Sequence, residues 1–129
     1  MAQEAEVITI LNRKRLELGL APLNSHGDLD AAARRHSADM AAQQFISHTG
    51  SDGSSPWDRM RDAGYQMRSG RENVAVGYPT AQAVFEGWMN SPGHRDNMLA
   101  PNVCDIGMGY VHDAASKFGH YWTMTLGCE

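Results

Sequence analysis

Residues 104–128 read CDIGMGYVHDAASKFGHYWTMTLGC, and they contain two strand-like segments joined by a loop. Residues 105–111 and 120–126 are rich in aromatic and other apolar residues, whereas turn-forming residues separate them. The pattern predicts an antiparallel hairpin centred on Ser116. One register places the large apolar side chains on one face by pairing Tyr110 with Trp122, Met108 with Met124, Ile106 with Leu126 and His112 with His120. The opposite face then carries the small residues Gly107, Gly109, Thr123 and Thr125.

The same register sets Cys104 opposite Cys128. Opposed Cβ atoms of an antiparallel pair lie about 4.5–5.5 Å apart, which suits a disulfide after little adjustment. The alternatives are two buried free thiols and a two-cysteine metal site, although the close Cys/His spacing of zinc sites is missing. We expect the disulfide, which would stabilise the fold by roughly 3 kcal/mol in the chain-entropy model. Since disulfides persist in oxidising compartments, the protein is predicted to be secreted, extracellular or at the cell surface.

Upstream of the hairpin, apolar residues recur at helical spacing. The predicted helices span residues 4–18, 29–44, 56–64 and 80–90, with a further turn through Leu99. Asp28 is expected to cap the second helix and Ser55 the third, where Pro56 and Asp58 complete a helix-start signature. Because helices precede a terminal hairpin, the predicted class is α+β. A chain of 129 residues suits one domain, residues 1–129, that folds as a monomer.

Composition argues against two classes of partner. Eleven Lys and Arg residues stand against fifteen Asp and Glu residues, for a net charge of -4. Without a clustered cationic face, no nucleic-acid partner is expected. The apolar runs are far shorter than the roughly 20 residues of a membrane-spanning helix, so no transmembrane segment is expected. The opening residues, Met-Ala-Gln-Glu, are polar and acidic, and we expect the signal segment of a secreted protein to lie outside this sequence.

Two histidines and a glutamate occur in segments where functional side chains usually stand. His48 and His94 each follow a predicted helix end beside small or turn-forming residues, and Glu72 lies between them in an irregular segment. Two imidazoles and one carboxylate can bind zinc or another divalent ion and leave a position for water. Their spacing matches no local metal motif, so the trio is a candidate site only.

The remaining histidines are expected to be structural or solvated. His36 falls on the apolar face of the second helix and is interpreted as a buried ring with a hydrogen-bond partner. His26 lies in a polar connector, where solvation is expected. His112 and His120 face each other across the predicted hairpin, and we interpret them as ordinary exposed residues.

Several short motifs follow one another in a fixed order. They are LN at 11–12, GLAPL at 19–23, HSADMA at 36–41, FISH at 45–48, AGY at 63–65, ENVA at 72–75 and WMNSPGHRDNML at 88–99. Their order and spacing resemble the bacterial branch of the CAP superfamily (cysteine-rich secretory proteins, antigen 5 and pathogenesis-related 1), whose domain is also called SCP. The resemblance covers nearly the whole chain, and its Ser-Pro-Gly-His-Arg segment is specific.

The resemblance implies a three-layer α-β-α sandwich with a central antiparallel sheet, and a secreted or surface-attached protein. It also implies a cleft of two histidines and two acidic residues that often binds zinc or another divalent ion. His48, Glu72 and His94 match three of those four residues.

This sequence departs from the family pattern at two positions. Ser91 stands where the second acid is found, so we expect lower zinc affinity than a full set would give. Arg71 replaces the glycine before Glu72, which implies either a different turn or a more cationic cleft. Ser91, Asn73 and Arg95 are expected to neighbour the cleft.

No single reaction defines the family, so a function must be argued from the site. The function we expect is a non-enzymatic binding or interaction module for lipid, glycan or protein ligands, with a His/Glu cleft able to hold a divalent ion. The alternative is a metal- or His/Glu-dependent hydrolase of peptides or cell-wall material. Glu72 would then act as general base on a water held by His48 and His94. A third reading is a purely structural hydrogen-bond network.

Overall fold

The computed structural model describes residues 2–129, and Met1, the first residue of the predicted domain 1–129, lies outside the described residues. Five helices and four strands form within that range. In chain order they are α1 (Ala2–Glu17), β1 (Asn24–Ser25), α2 (Gly27–Gln43), α3 (Pro56–Asp62), β2 (Ser69–Val76), α4 (Ala81–Met89), α5 (Pro92–Leu99), β3 (Asp105–His112) and β4 (His120–Cys128).

The four strands form one sheet in the order β1-β3-β4-β2. The predicted hairpin register is confirmed, because β3 and β4 pair Tyr110 with Trp122 and Met108 with Met124. The sheet is antiparallel except at one edge, where the two residues of β1 pair in parallel with β3. The strand β2 pairs with β4 and forms the other edge.

The small-residue face of the hairpin lets a helix approach the sheet unusually closely. A Cβ atom on Gly107 would come within 2.1 Å of the Leu29 main chain, and one on Gly109 within 2.4 Å of the Ala33 main chain. Helix α2 therefore packs its backbone directly against the sheet. The prediction for this face was incomplete, because the large side chain of Tyr121 also lies in a cluster with α2 residues.

The apolar face of the hairpin carries the main core together with three other helices. The core residues from α1, α4 and α5 include Val7, Leu11, Val84, Trp88 and Met98, and they pack with the apolar residues of β3 and β4. Helices thus cover both faces of the sheet, and the predicted α-β-α sandwich is confirmed.

Two predicted helix starts have different outcomes. Ser55 forms the expected capping box with Asp58 at the start of α3. The prediction for α2 was wrong, since His26, rather than Asp28, is the N-cap and accepts a hydrogen bond from the Asp28 main-chain N–H. His26 is therefore not a merely solvated residue: its ring also lies edge-on to Tyr65.

The predicted disulfide joins Cys104 and Cys128, whose Cα atoms are 5.0 Å apart. It ties the start of the β3 region to the end of β4. Within residues 2–129, none of the helices has the length and apolar character needed to cross a bilayer.

Candidate functional site

Both carboxylate oxygens of Glu72, the glutamate of the predicted site, are hydrogen-bonded to neighbouring side chains. Glu72 lies on β2, and its side chain is only 1% exposed. One carboxylate oxygen, Oε1, is 2.9 Å from His48 Nδ1, and the other, Oε2, is 2.8 Å from Arg59 Nη2. Because a carboxylate only accepts hydrogen bonds, the bonded His48 nitrogen carries the proton. Glu72 therefore joins the loop after α2 and helix α3 to the edge of the sheet.

Arg59 is the central cation of this cluster, and sequence reasoning missed it. Its side chain is 2% exposed. Besides Glu72, the guanidinium donates to the main-chain oxygens of His48 (2.8 Å) and Ser54 (2.9 Å). Arg61, two positions later on α3, is exposed. No sequence pattern distinguishes the buried Arg59 from it.

The two predicted site histidines differ electrostatically. The hydrogen bond that His48 donates to Glu72 raises the pKa of His48 and outweighs the opposing effect of partial burial. Burial, with a smaller contribution from the charge of His48, lowers the pKa of His94. His48 therefore holds a proton more readily than His94. The His48 side chain is 54% exposed to solvent, so a ligand can reach it.

His94 belongs to a second polar cluster at the start of α5. Its Nδ1 lies 3.0 Å from the Ser91 hydroxyl oxygen. Ser91 occupies the N-cap position of α5 but makes no side-chain capping bond there. The buried Asn73 donates to the His94 main-chain oxygen at 3.1 Å and accepts from Asn97 at 2.9 Å. Asn73 and Ser91 thus position His94, while Arg95 is exposed on α5.

The three predicted metal ligands do not come together as one set. Within residues 2–129, no group of three or more His, Cys, Asp or Glu side chains is arranged to hold a metal ion. The chemistry of the donors also opposes a cation here, because Arg59 already supplies a positive charge 2.8 Å from Glu72. As they stand, these residues do not fit a divalent ion.

Two clefts lie along β2. The first, about 380 Å³, is lined by His48, Thr49, Ser55, Pro56, Trp57, Gly70, Arg71, Glu72 and Asn97. The second, about 340 Å³, is lined by Ile46, Val74, Ala75, Val76, Tyr78, Gly87, Trp88, Ser91 and His94. The predicted site residues are therefore divided between them: His48 and Glu72 line the first cleft, and Ser91 and His94 line the second.

Arg71 stands where the family pattern has a glycine before Glu72, and either a different turn or a more cationic cleft was expected there. It lies within the regular pairing of β2, opposite Leu126, so no altered turn occurs there. Its guanidinium lines the first cleft and donates to the Asn97 side-chain oxygen at 3.2 Å. Arg71 therefore adds a positive charge to the lining of this cleft.

Side chains also satisfy the outward-facing carbonyl groups of β2. Trp57 donates to the Gly70 oxygen at 3.0 Å, and Trp88 to the Val74 oxygen at 3.2 Å. Asn97 reaches the carbonyl of Glu72 between them at 3.4 Å. An edge strand whose carbonyl groups are already bonded is a poor template for another strand. The clefts are therefore built to contact ligand side groups rather than to extend the sheet.

The other histidines take structural positions. His36 is fully buried, and its Nε2 lies 2.6 Å from the Ser47 carbonyl oxygen, as the interpretation of a partnered buried ring requires. His112 and His120 face each other as predicted, with ring centroids 4.3 Å apart. His112 is exposed as predicted, whereas the prediction for His120 was wrong, since its half-buried ring bonds to the Tyr110 hydroxyl at 2.7 Å.

Fold and clefts together define the class: this is a sandwich domain of the SCP type, as the sequence motifs implied. The chain belongs to the cysteine-rich secretory protein (CAP) family, whose model matches residues 8–126.

Two Bacillus subtilis proteins show the relationship in sequence. The chain is 38% identical to YkwD over 122 residues, which cover 95% of the chain and 46% of that protein. It is 31% identical to the membrane protein YlbC over 106 residues, which cover 82% of the chain and 31% of that protein. The chain thus spans less than half the length of these curated relatives.

Solved structures show the same fold at low sequence identity. An extracellular SCP-domain protein from Bacillus anthracis superposes with a TM-score of 0.90 at 24% identity, covering 99% of this chain and 41% of that one. An outer surface protein from Borrelia burgdorferi gives a TM-score of 0.85 at 20% identity, covering 95% of this chain and 90% of that one. At these identities the likeness extends to the fold alone.

Proposed function

We propose that this domain is a non-enzymatic binding module that holds its ligand in the two clefts along β2. The observation that carries the proposal is the engagement of Glu72, whose two carboxylate oxygens are bonded to His48 and Arg59. A general base must reach the proton that it abstracts, and a buried carboxylate with both oxygens bonded cannot readily do so. The arrangement therefore supports recognition better than acid–base chemistry by Glu72.

The clefts suit an elongated ligand with apolar faces and polar edges. They follow one strand from Gly70 to Val76, a rise of roughly 20 Å at about 3.3 Å per residue. Trp57 and Ile46, each 46% exposed, provide one apolar contact in each cleft. The Trp57 ring is held by its bond to Gly70, so it loses little freedom when it packs against a ligand. A glycan, a lipid or an extended peptide has this character.

One observation favours the hydrolase alternative. The bond between His48 and Glu72 resembles the pairing by which a carboxylate orients a catalytic imidazole. In that version the general base is His48 rather than Glu72, because only the histidine is exposed to a substrate. Glu72 would then act as a positioning residue.

We further propose a location outside the cell. The disulfide between Cys104 and Cys128 is typical of oxidising compartments. Proteins of the same fold include an extracellular protein from Bacillus anthracis and an outer surface protein from Borrelia burgdorferi. Both observations favour a secreted or surface-displayed domain.

Trp57→Ala is expected to weaken ligand binding at least tenfold, because burying a large apolar side chain against a ligand contributes roughly 1.5–3 kcal/mol. Calorimetric titrations with soluble cell-wall glycan fragments, phosphatidylglycerol vesicles and an unstructured peptide would identify the ligand class. Leu16→Ala is the matched control, because Leu16 is 60% exposed on α1 and lies outside the clefts.

Equal affinities of the Trp57→Ala and wild-type proteins would contradict a ligand site in the first cleft. The titrated ligand is also checked for cleavage. A product that is formed by the wild type but not by His48→Ala would establish the hydrolase alternative instead.

Zinc is expected to bind the cleft poorly. An ion at Glu72 would have to displace Arg59, and an unpaired buried charge costs several kcal/mol. Because 1.4 kcal/mol is tenfold in affinity, binding should be roughly a hundredfold or more weaker than at an open site. Calorimetry on metal-stripped protein, beside His48→Ala and His94→Ala, measures this. Tight 1:1 binding by the wild type that both variants lose would contradict this expectation and support the metal site of His48, Glu72 and His94.

A further inference from the structure

The positive charge of Arg71 is not neutralised within the first cleft. The lining of that cleft carries one carboxylate, Glu72, which the buried Arg59 already neutralises at 2.8 Å. Among residues 2–129, Arg71 has no ion-pair partner. The cleft therefore presents a positive charge that is free to attract an anionic group of a ligand.

A neutral amide holds the Arg71 guanidinium in place. Arg71 Nη1 donates to Asn97 Oδ1 at 3.2 Å. The amide nitrogen of Asn97 donates to Asn73 Oδ1 at 2.9 Å, which fixes the amide with its oxygen towards Arg71. An amide carries no net charge, so this contact orients the guanidinium without neutralising it.

The other two nitrogen atoms of the guanidinium are open to a ligand. Arg71 Nε and Nη2 form one edge of the planar group, and their parallel N–H groups match the two oxygens of a carboxylate. Within residues 2–129, neither atom makes a hydrogen bond. The buried side-chain atoms of that range that lack a partner are His36 Nδ1, Arg59 Nε and Ser69 Oγ. The two Arg71 atoms are not among them, so solvent reaches this edge.

Trp57 places a fixed apolar surface beside this cation. Its indole nitrogen donates at 3.0 Å to the carbonyl oxygen of Gly70, which belongs to the peptide bond that joins Gly70 to Arg71. The Trp57 side chain lines the same cleft and is 46% exposed. A ligand that covers the ring can therefore carry an anionic group to Arg71.

The rest of the lining favours a sugar over a peptide or an acyl chain. Apart from Pro56, Trp57 and Gly70, the cleft is lined by polar residues, so an acyl chain would find little apolar surface. The carbonyl oxygens of Gly70 and Glu72 are already bonded, so a peptide main chain gains little by pairing with this edge. A sugar has an apolar C–H face for an aromatic ring and hydroxyl groups for a polar wall.

We propose that the first cleft binds an acidic sugar, whose ring packs on Trp57 and whose carboxylate bonds to the Nε–Nη2 edge of Arg71. This inference rests on the proposed binding function and names the chemical class of its ligand. Arg71 is then the residue that selects an acidic sugar over a neutral one.

Calorimetric titrations with trigalacturonic acid and with its fully methyl-esterified form test the inference. The two trisaccharides share their rings, but only the acid is charged. Wild-type protein is expected to bind the acid at least tenfold more tightly, because charge-assisted hydrogen bonds are about twice as strong as neutral ones. Raising the salt concentration should reduce this preference.

Arg71→Gln should abolish the preference for the acid, because glutamine keeps a side-chain donor but lacks the charge. Arg13→Gln is the matched control: it removes one exposed positive charge on α1, outside both clefts, and should keep the preference. Arg71→Lys should keep part of it, because lysine retains the charge without the paired donors. Far-UV circular dichroism checks that each variant is folded, and the comparison of acid with ester in the wild type needs no variant.

Three results would overturn the inference. Equal affinities of the wild type for acid and ester, both weakened by Trp57→Ala, would refute the role of Arg71 and leave the proposed binding function in place. Tetraglutamate that competes with trigalacturonic acid at equal affinity would show that carboxylates are recognised without a sugar ring. The absence of saturable binding by either trisaccharide would also refute it, whereas the vesicle and peptide titrations would still test the proposed function.

Discussion

Arg59→Met is expected to lower the free energy of unfolding by about 3–5 kcal/mol, the cost of removing one partner from a buried ion pair. The substitution keeps a long apolar stem but removes the donors to Glu72, His48 and Ser54. The Glu72 carboxylate would stay buried with His48 as its remaining side-chain partner. Urea unfolding at neutral pH, followed by far-UV circular dichroism without reductant, measures the change.

Arg61→Met is the matched control on the same helix. Arg61 is 60% exposed and pairs with the exposed Asp58, so its replacement should change stability by about 0.5 kcal/mol or less. Equal losses in the two variants would show that Arg59 is not the buried cation that organises the site. Arg59→Lys should fall between them, because lysine keeps the charge but cannot donate in several fixed directions.

The contrast between these two arginines explains what the sequence could not predict. Both lie in the short helix α3, where charged residues normally face solvent. Burial of Arg59 depends on a loop carbonyl and a strand carboxylate that come from separate parts of the chain, so no local periodicity encodes it. The acidic and imidazole members of the cluster were predictable as motif residues, but the cation that neutralises the acid was not.

The hairpin was predictable because its constraints are local and agree with one another. The alternation of apolar and small residues predicts the register seen between β3 and β4, and the facing cysteines predict the same register. Helix starts were less secure. His26 takes the N-cap role that was predicted for Asp28. Its Nδ1 is an acceptor within reach of the Asp28 main-chain N–H.

The candidate site divides because the side chains of its two histidines bond to different partners. His48 follows α2 and bonds to Glu72, whereas His94 lies in the first turn of α5 and bonds to Ser91. The family resemblance implied that these residues share one cleft, but the sequence could not show which of them would share a partner. Whether the family's metal chemistry operates here stays a prediction, which the zinc titration tests.

Gly107→Ala is expected to cost more than about 3 kcal/mol, at or beyond the upper end of ordinary overpacking. The added Cβ would lie 2.1 Å from the Leu29 carbonyl carbon and 2.3 Å from the Asp30 main-chain nitrogen. Both obstacles are backbone, so no side-chain rotation can relieve the contact. Helix α2 would have to move off the sheet, which would break the bond from the Thr125 hydroxyl to the Leu29 carbonyl oxygen.

Gly27→Ala is the control for this substitution, because Gly27 opens the same helix and no atom of residues 2–129 outside its immediate surroundings lies within 4 Å of the added Cβ. Its stability should stay within about 1 kcal/mol of the wild type, with a gain expected from the smaller entropy of the unfolded chain. Urea unfolding of both variants with the disulfide intact gives the comparison. A Gly107→Ala protein that unfolds as late as Gly27→Ala would mean that α2 does not lie against the small-residue face. The loop that carries His48 to Glu72 follows α2 directly, so this contact also supports the candidate site.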